Sequence, residues 1–147
     1  MITNGVINSE LLRVMGRMGH GDLLAITDRG FPFPLHKYTE TIDLSVTRGL
    51  PAFLDVVKPI IENFETEEVI IAQETERYNP EVYEKLLEIV KKKKNKGNNL
   101  KITFIPHEEF KDLVLHGGEK EKPVACFVKT GEFTPYANII LVSSVPF

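Results

Sequence analysis

Four histidines, a few loop carboxylates and one polar loop hold the chemistry available to this chain. His20 lies in Gly19-His20-Gly21-Asp22, between a helix end and a strand. The flanking glycines leave its imidazole unshielded, and an ordinary pKa of about 6.5 lets it exchange a proton near neutrality. It reads as a proton carrier or as a cap on the preceding helix. Asp28 closes an apolar stretch, where a carboxylate either binds a ligand or caps a loop. His107 opens Pro106-His107-Glu108-Glu109-Phe110 and reads as a helix-start residue or a ligand-facing imidazole; residue 111 is Lys, so the second histidine of a helical zinc motif is missing. Thr130-Gly131-Glu132-Phe133-Thr134-Pro135-Tyr136-Ala137-Asn138 sets an acid, a phenol and an amide between two apolar segments. Phenol and amide both donate and accept hydrogen bonds, which suits orienting a polyol; the plainer reading is a long hairpin turn with Asn138 as its turn residue. His36 and His116 stand in polar surroundings and read as solvated, and Cys126 as a small buried hydrophobe.

The elements that must place these groups follow from periodicity. Asn8-Ser9-Glu10 predicts a helix start, with Leu11, Leu12, Met15 and Met18 at helical spacing and Gly19 as its stop. Short apolar runs predict strands at residues 23–27, 42–46, 69–72, 100–105, 124–128 and 139–143. Helices are expected from Pro51, with a kink or break at Pro59, after Asn79-Pro80, and over residues 107–115. The lysine-rich run that starts at Lys91 should end the second of these, with Gly97 as its stop. Alternating strands and helices predict a three-layer α/β/α sandwich around a mixed, mostly parallel six-stranded sheet, its last two strands pairing antiparallel. Ligands of such sheets sit beyond the carboxyl ends of the parallel strands, so Asp28 and His107 should face one cleft.

Composition sets the outer limits. The 147 residues suit one domain spanning 1–147, and a formal charge of −3 argues against a nucleic-acid binder. A single cysteine excludes an internal disulfide, and no apolar run approaches the ~20 residues of a membrane span. No phosphate-binding glycine loop or nucleophile elbow occurs, so no nucleotide cofactor is supported. A soluble cytoplasmic protein is expected.

Several segments then fall into one order: Asn8-Ser9, Met18-Gly19-His20-Gly21-Asp22, Asp28 with Gly30, Pro32 and Pro34, Ile42-Asp43-Leu44-Ser45, Gly49-Leu50-Pro51-Ala52-Phe53, His107-Glu108-Glu109-Phe110 and the 130–138 loop. Together they resemble the D-ribose pyranase family, with L-fucose mutarotase as the neighbouring family that shares the His20 segment. The resemblance implies an isomerase that interconverts the β-pyranose and β-furanose forms of D-ribose by acid–base ring opening and closing. It implies a ring-shaped homo-oligomer, a decamer of two pentameric rings, with sugar sites where subunits meet, and neither metal nor cofactor. It gives His20 the proton-donor role, and Asp28, His107, Tyr136, Asn138 and the Ala137 backbone the sugar-binding roles. Another aldose, L-fucose included, and a non-catalytic sugar-binding oligomer are the alternatives. Departures from the family pattern fall at Arg29, expected to hold the Asp28 carboxylate charged or to bind an anionic group, at Phe31, Phe33 and Lys129, and in the lysine-rich segment.

Overall fold

The computed structural model describes every residue except Asn98, which belongs to the lysine-rich segment. Six strands form one sheet: β1 (Leu23–Thr27), β2 (Glu40–Asp43), β3 (Thr66–Ala72), β4 (Lys101–Ile105), β5 (Cys126–Lys129) and β6 (Ile139–Ser143). Five helices accompany them: α1 (Ser9–Met15), α2 (Phe53–Glu62), α3 (Glu74–Tyr78), α4 (Pro80–Lys92) and α5 (His107–His116). The strand order is β2-β5-β1-β6-β3-β4. Neighbours pair parallel except at β6, which is antiparallel to both β1 and β3. The sheet is therefore mixed and mostly parallel, as expected, but β5 and β6 do not pair. β1 lies between them, its five residues buried on both faces, because a central strand of a covered sheet must be apolar throughout.

Two apolar layers sandwich the sheet. Leu24, Ile26, Val69, Ile71, Val128 and Leu141 pack against α1, α2 and α4. Ala25, Ile70, Phe127 and Ile140 on the other face pack against Phe110 and Val114 of α5 and against Phe31. Cys126 is buried in the first layer, and burial pushes its thiol up to about 12, which rules it out as a nucleophile.

Element boundaries moved for local reasons. Asn8 caps α1 by accepting from the Glu10 and Leu11 N–H groups, but α1 ends at Met15 and tightens through Arg17 and Met18 bonds back to Val14 and Met15, short of Gly19. β2 starts earlier and stops at Asp43, because Asp43 Oδ1 accepts the Ser45 N–H at 2.9 Å and turns the chain away. α2 runs through Pro59 without a break. An interior proline costs about 3 kcal/mol or more. Burying a large apolar side chain contributes roughly 1.5–3 kcal/mol, and α2 buries Phe53, Val56, Val57, Ile60 and Ile61; burial wins. α4 ends at Lys92, so Gly97 is not its stop.

The 130–138 loop is anchored before it reaches the site. Gly131 is buried with its N–H donating to the Pro51 carbonyl at 2.8 Å, and a Cβ there would stand 2.7 Å from the Leu50 and Thr47 carbonyl oxygens. Those oxygens belong to the backbone and cannot rotate away. Gly131→Ala is expected to cost about 1–3 kcal/mol, the usual penalty of overpacking, read as a fall in the urea unfolding midpoint at unchanged slope; an unchanged midpoint would show that the loop has room.

Candidate active site

Strand direction decides which groups meet. β1 and β4 point the same way, so Asp28 after β1 and His107 after β4 emerge at one edge of the sheet. β6 runs the other way, so the residues that precede it, Tyr136, Ala137 and Asn138, return to that same edge. Four of the five expected side chains and the Ala137 backbone are thus brought to one place.

Asp28 and Asn138 lock each other. The Asp28 N–H donates to Asn138 Oδ1 at 2.9 Å, and Asn138 Nδ2 donates to Asp28 Oδ2 at 3.1 Å. Asn138 is fully buried and Asp28 nearly so. The exchange fixes the orientation of the Asn138 amide and leaves Asp28 Oδ1 with capacity to accept. Asp28 also lines a cavity of about 330 Å³ with Arg29, Gly30, Glu132, Phe133, Thr134 and Pro135. A larger concavity of about 630 Å³ lies between Pro32–Leu35 and the end of α5. It holds exposed His36 and His116 but none of the site residues.

His107 is held through its backbone. Its N–H donates to Glu74 Oε2 at 2.8 Å, which caps the start of α5. Its ring meets Tyr136 edge-on at 4.8 Å and lies against Phe31 and Phe110. Burial pulls the imidazole below its ordinary pKa, so the neutral ring is favoured near neutrality. Its Nδ1 is buried with no hydrogen-bond partner among the described residues. A buried polar atom without a partner costs free energy.

Tyr136 adopts φ +56°, strained for a residue with a side chain. Its carbonyl accepts Thr75 Oγ1 at 2.8 Å, and its ring stacks at a tilt on Tyr78 at 5.5 Å. Asn79, expected only as a helix cap, instead donates from Nδ2 to Thr134 Oγ1 and the Pro135 carbonyl. Glu74, Thr75, Tyr78 and Asn79 all come from α3 and its end, an element that periodicity missed. Five residues are too few for a repeat to register, and Asn79-Pro80 signals the start of α4 alone. Glu132, the acid of the same loop, is structural: Oε1 accepts the Phe53 N–H at the start of α2 and Oε2 accepts from Thr134.

The departures resolve into packing. Arg29 Nη1 donates to Asp43 Oδ2 at 2.7 Å and Ser45 Oγ at 2.9 Å, so it serves Asp43 and not Asp28. Burial pushes Asp43 up, but the bonds from Arg29 and Ser45 outweigh it and bring the carboxyl to about 2. Lys129 is buried with its ammonium 3.9 Å from the centre of the Phe33 ring.

His20 stands apart. It precedes β1 while Asp28 follows it, so within one chain the two are separated by roughly 20 Å of extended backbone. Its side chain is 59 % exposed and pairs with Glu67.

Burial is the first influence on Asp28 and raises its pKa against the opposing pull of Asn138, of the Gly30 and Phe31 N–H groups and of His107. For an acid shifted this way the folded state holds its proton longer, and stability falls as pH rises from the unfolded pKa through the folded one. Asp28→Asn escapes that loss. Its unfolding midpoint, measured against wild type, should match most closely near about pH 3, gain as pH rises through the folded pKa of Asp28 and hold that gain above it; a difference that stays flat with pH would show that Asp28 is not strained by burial.

With this geometry in hand, comparison with known proteins is direct. The RbsD / FucU transport protein family model matches residues 1–146. The D-ribose pyranase of Clostridium perfringens (strain SM101 / Type A) is 45 % identical over 147 residues, the whole of both chains. That of Thermotoga petrophila is 41 % identical over 143 residues, 97 % of each chain. The structure of Bacillus subtilis RbsD complexed with D-ribose superimposes with a TM-score of 0.83 at 36 % identity, covering all of both chains. The fucose mutarotase of Streptococcus pneumoniae, solved with L-fucose, shares the fold at a TM-score of 0.68 and 21 % identity, over 95 % of this chain and 94 % of its own. This chain belongs to the RbsD / FucU transport protein family.

Proposed function

We propose that this protein is a D-ribose pyranase, an isomerase that interconverts the β-pyranose and β-furanose rings of ribose. Full-length identity of 45 % to a D-ribose pyranase and the ribose complex of the Bacillus subtilis relative support the reaction and the sugar. The observation in this chain that carries the reading is the locked Asp28–Asn138 pair beside a buried, unpartnered His107 nitrogen. A pentose presents hydroxyls that donate to Asp28 and meet His107, Tyr136 and Asn138 in turn. The protein works in the cytoplasm as a ring-shaped decamer.

The chemistry asks little. The anomeric hydroxyl loses a proton, the bond from C1 to the ring oxygen breaks, and that oxygen gains a proton, which leaves the open-chain aldehyde. A different hydroxyl then attacks C1 and the proton movements reverse. Both oxygens sit on C1, so one imidazole can take the proton from the first and hand it to the second. A positioned acid–base group contributes about 10²–10⁴-fold, and holding the open chain in place adds orientation.

His20 reaches this sugar only from a second subunit. Since it lies at the far end of β1 from Asp28, each site pairs the binding groups of one subunit with the His20 of its neighbour. This accounts for the exposure of His20 in the single chain.

Exchange NMR on ribose should show wild-type protein accelerating pyranose–furanose interconversion, with His20→Ala abolishing the rate while ribose still binds. Co-assembled His20→Ala and Asp28→Asn chains, each inactive alone, should recover up to about a quarter of the wild-type rate, since random mixing leaves that share of interfaces intact. Faster exchange for L-fucose than for ribose would move the substrate to the neighbouring branch, binding without acceleration would make the protein a sugar carrier, and hybrids without activity would place His20 outside the shared site.

A further inference from the structure

We propose that Glu67 is a positioning residue for His20, holding the imidazole as its Nε2–H tautomer so that Nδ1 is the nitrogen that moves the proton. The inference rests on the ribose reading above. His20 Nε2 lies 2.8 Å from Glu67 Oε2. An ionised carboxylate can only accept a hydrogen bond, so Nε2 carries the hydrogen and the lone pair is left on Nδ1. Glu67 has no other hydrogen-bond partner among the described residues, so its carboxylate is committed to this ring.

The fold is bent to make the contact. Thr66 pairs with Ser143 and Glu68 with Val142, so β3 spends two steps where β6 spends one, and Glu67 is the extra residue. A bulge of this kind re-aims a side chain that a regular ladder would point elsewhere. The backbone under His20 is pinned from the same side. The Gly21 N–H donates to the Ser143 carbonyl at 2.8 Å, the Ser143 N–H donates to the Asp22 carbonyl, and Asp22 Oδ2 accepts the Gly19 N–H at 2.7 Å. Lys122 bridges the Gly21 carbonyl and Asp22 Oδ1. Ring and backbone of one surface histidine are therefore both fixed. An exposed ion pair contributes little to stability, so the arrangement does not earn its place by holding the fold together.

During ring opening Nδ1 takes the anomeric proton and releases it to the ring oxygen as the C1 bond to that oxygen breaks. Nε2 keeps its hydrogen throughout, and the passing imidazolium rests beside the Glu67 carboxylate. No proton is gained or lost overall.

Two measurements on the assembled full-length protein test this. Long-range proton–nitrogen correlation spectra, with the His20 signals assigned by their loss in His20→Ala, should show the Nε2–H form in wild type. In Glu67→Gln the amide can donate as well as accept, so a mixture should appear. Its kcat should fall on the order of tenfold or more, as when a carboxylate that holds a catalytic histidine is replaced by an amide, with KM and the unfolding midpoint unchanged. A wild-type His20 with its hydrogen on Nδ1 overturns the proposal, as does Glu67→Gln with wild-type kcat. If that variant fails to assemble, the wild-type tautomer alone decides. A wild type that leaves ribose exchange unaccelerated defeats the ribose reading instead, and the tautomer still shows whether Glu67 holds the ring.

Discussion

One antiparallel strand sets the architecture of the site. β6 inserts between β1 and β3, both of which run the opposite way, and its ladder is satisfied on both sides. In an all-parallel sheet only strand ends reach the carboxyl edge. Here the start of β6 reaches it too, so a loop that precedes a strand delivers Tyr136 and Asn138 to groups that follow β1 and β4. The same insertion places Ser143, at the other end of β6, under the His20 turn and opposite the bulge at Glu67. Both ends of the strand are thereby tied to candidate functional residues.

Around that strand, polar groups are divided between holding and reading. Glu132 caps α2, Glu74 caps α5, Thr75 and Asn79 hold the 134–136 backbone, and Arg29 is spent on Asp43. What remains is a small set with spare hydrogen-bonding capacity, Asp28 and His107 foremost. Burial disfavours charge on both, raising the acid and lowering the base. Such groups cost stability in the folded protein.

Much of this was legible in sequence, for physical reasons. The inner strands announced themselves as apolar runs, because a sheet covered on both faces leaves little room for polar side chains within it; β2, Glu-Thr-Ile-Asp at the sheet edge, meets its expected run only at Ile42 and Asp43. Asp28 and His107 could be placed at one edge from strand direction alone. The separation of β5 from β6 could not, since adjacency in the chain suggests a hairpin, whereas β1 lies between them and pairs with both. α3 escaped because five residues make barely more than one turn. Glu67 escaped because a bulge leaves no periodic trace; its neighbour Glu68 looks the same in sequence and pairs loosely with Lys101 at 3.8 Å.

In the site proposed to be shared between subunits, the distance between His20 and Asp28 makes turnover depend on assembly. The proposed binding groups all sit on one edge of a single chain, whereas the proposed proton carrier lies at the opposite end of β1. A lone subunit would read a sugar and leave it unchanged. In the proposed shared site, joining subunits supplies the group whose position matters most to rate, since orientation is lost steeply with displacement. On that proposed arrangement, affinity belongs to the chain and turnover to the interface. The fixed backbone under His20 and the fixed ring above it are what let an interface set that position reproducibly, because a freely rotating imidazole would carry its uncertainty into every neighbouring site.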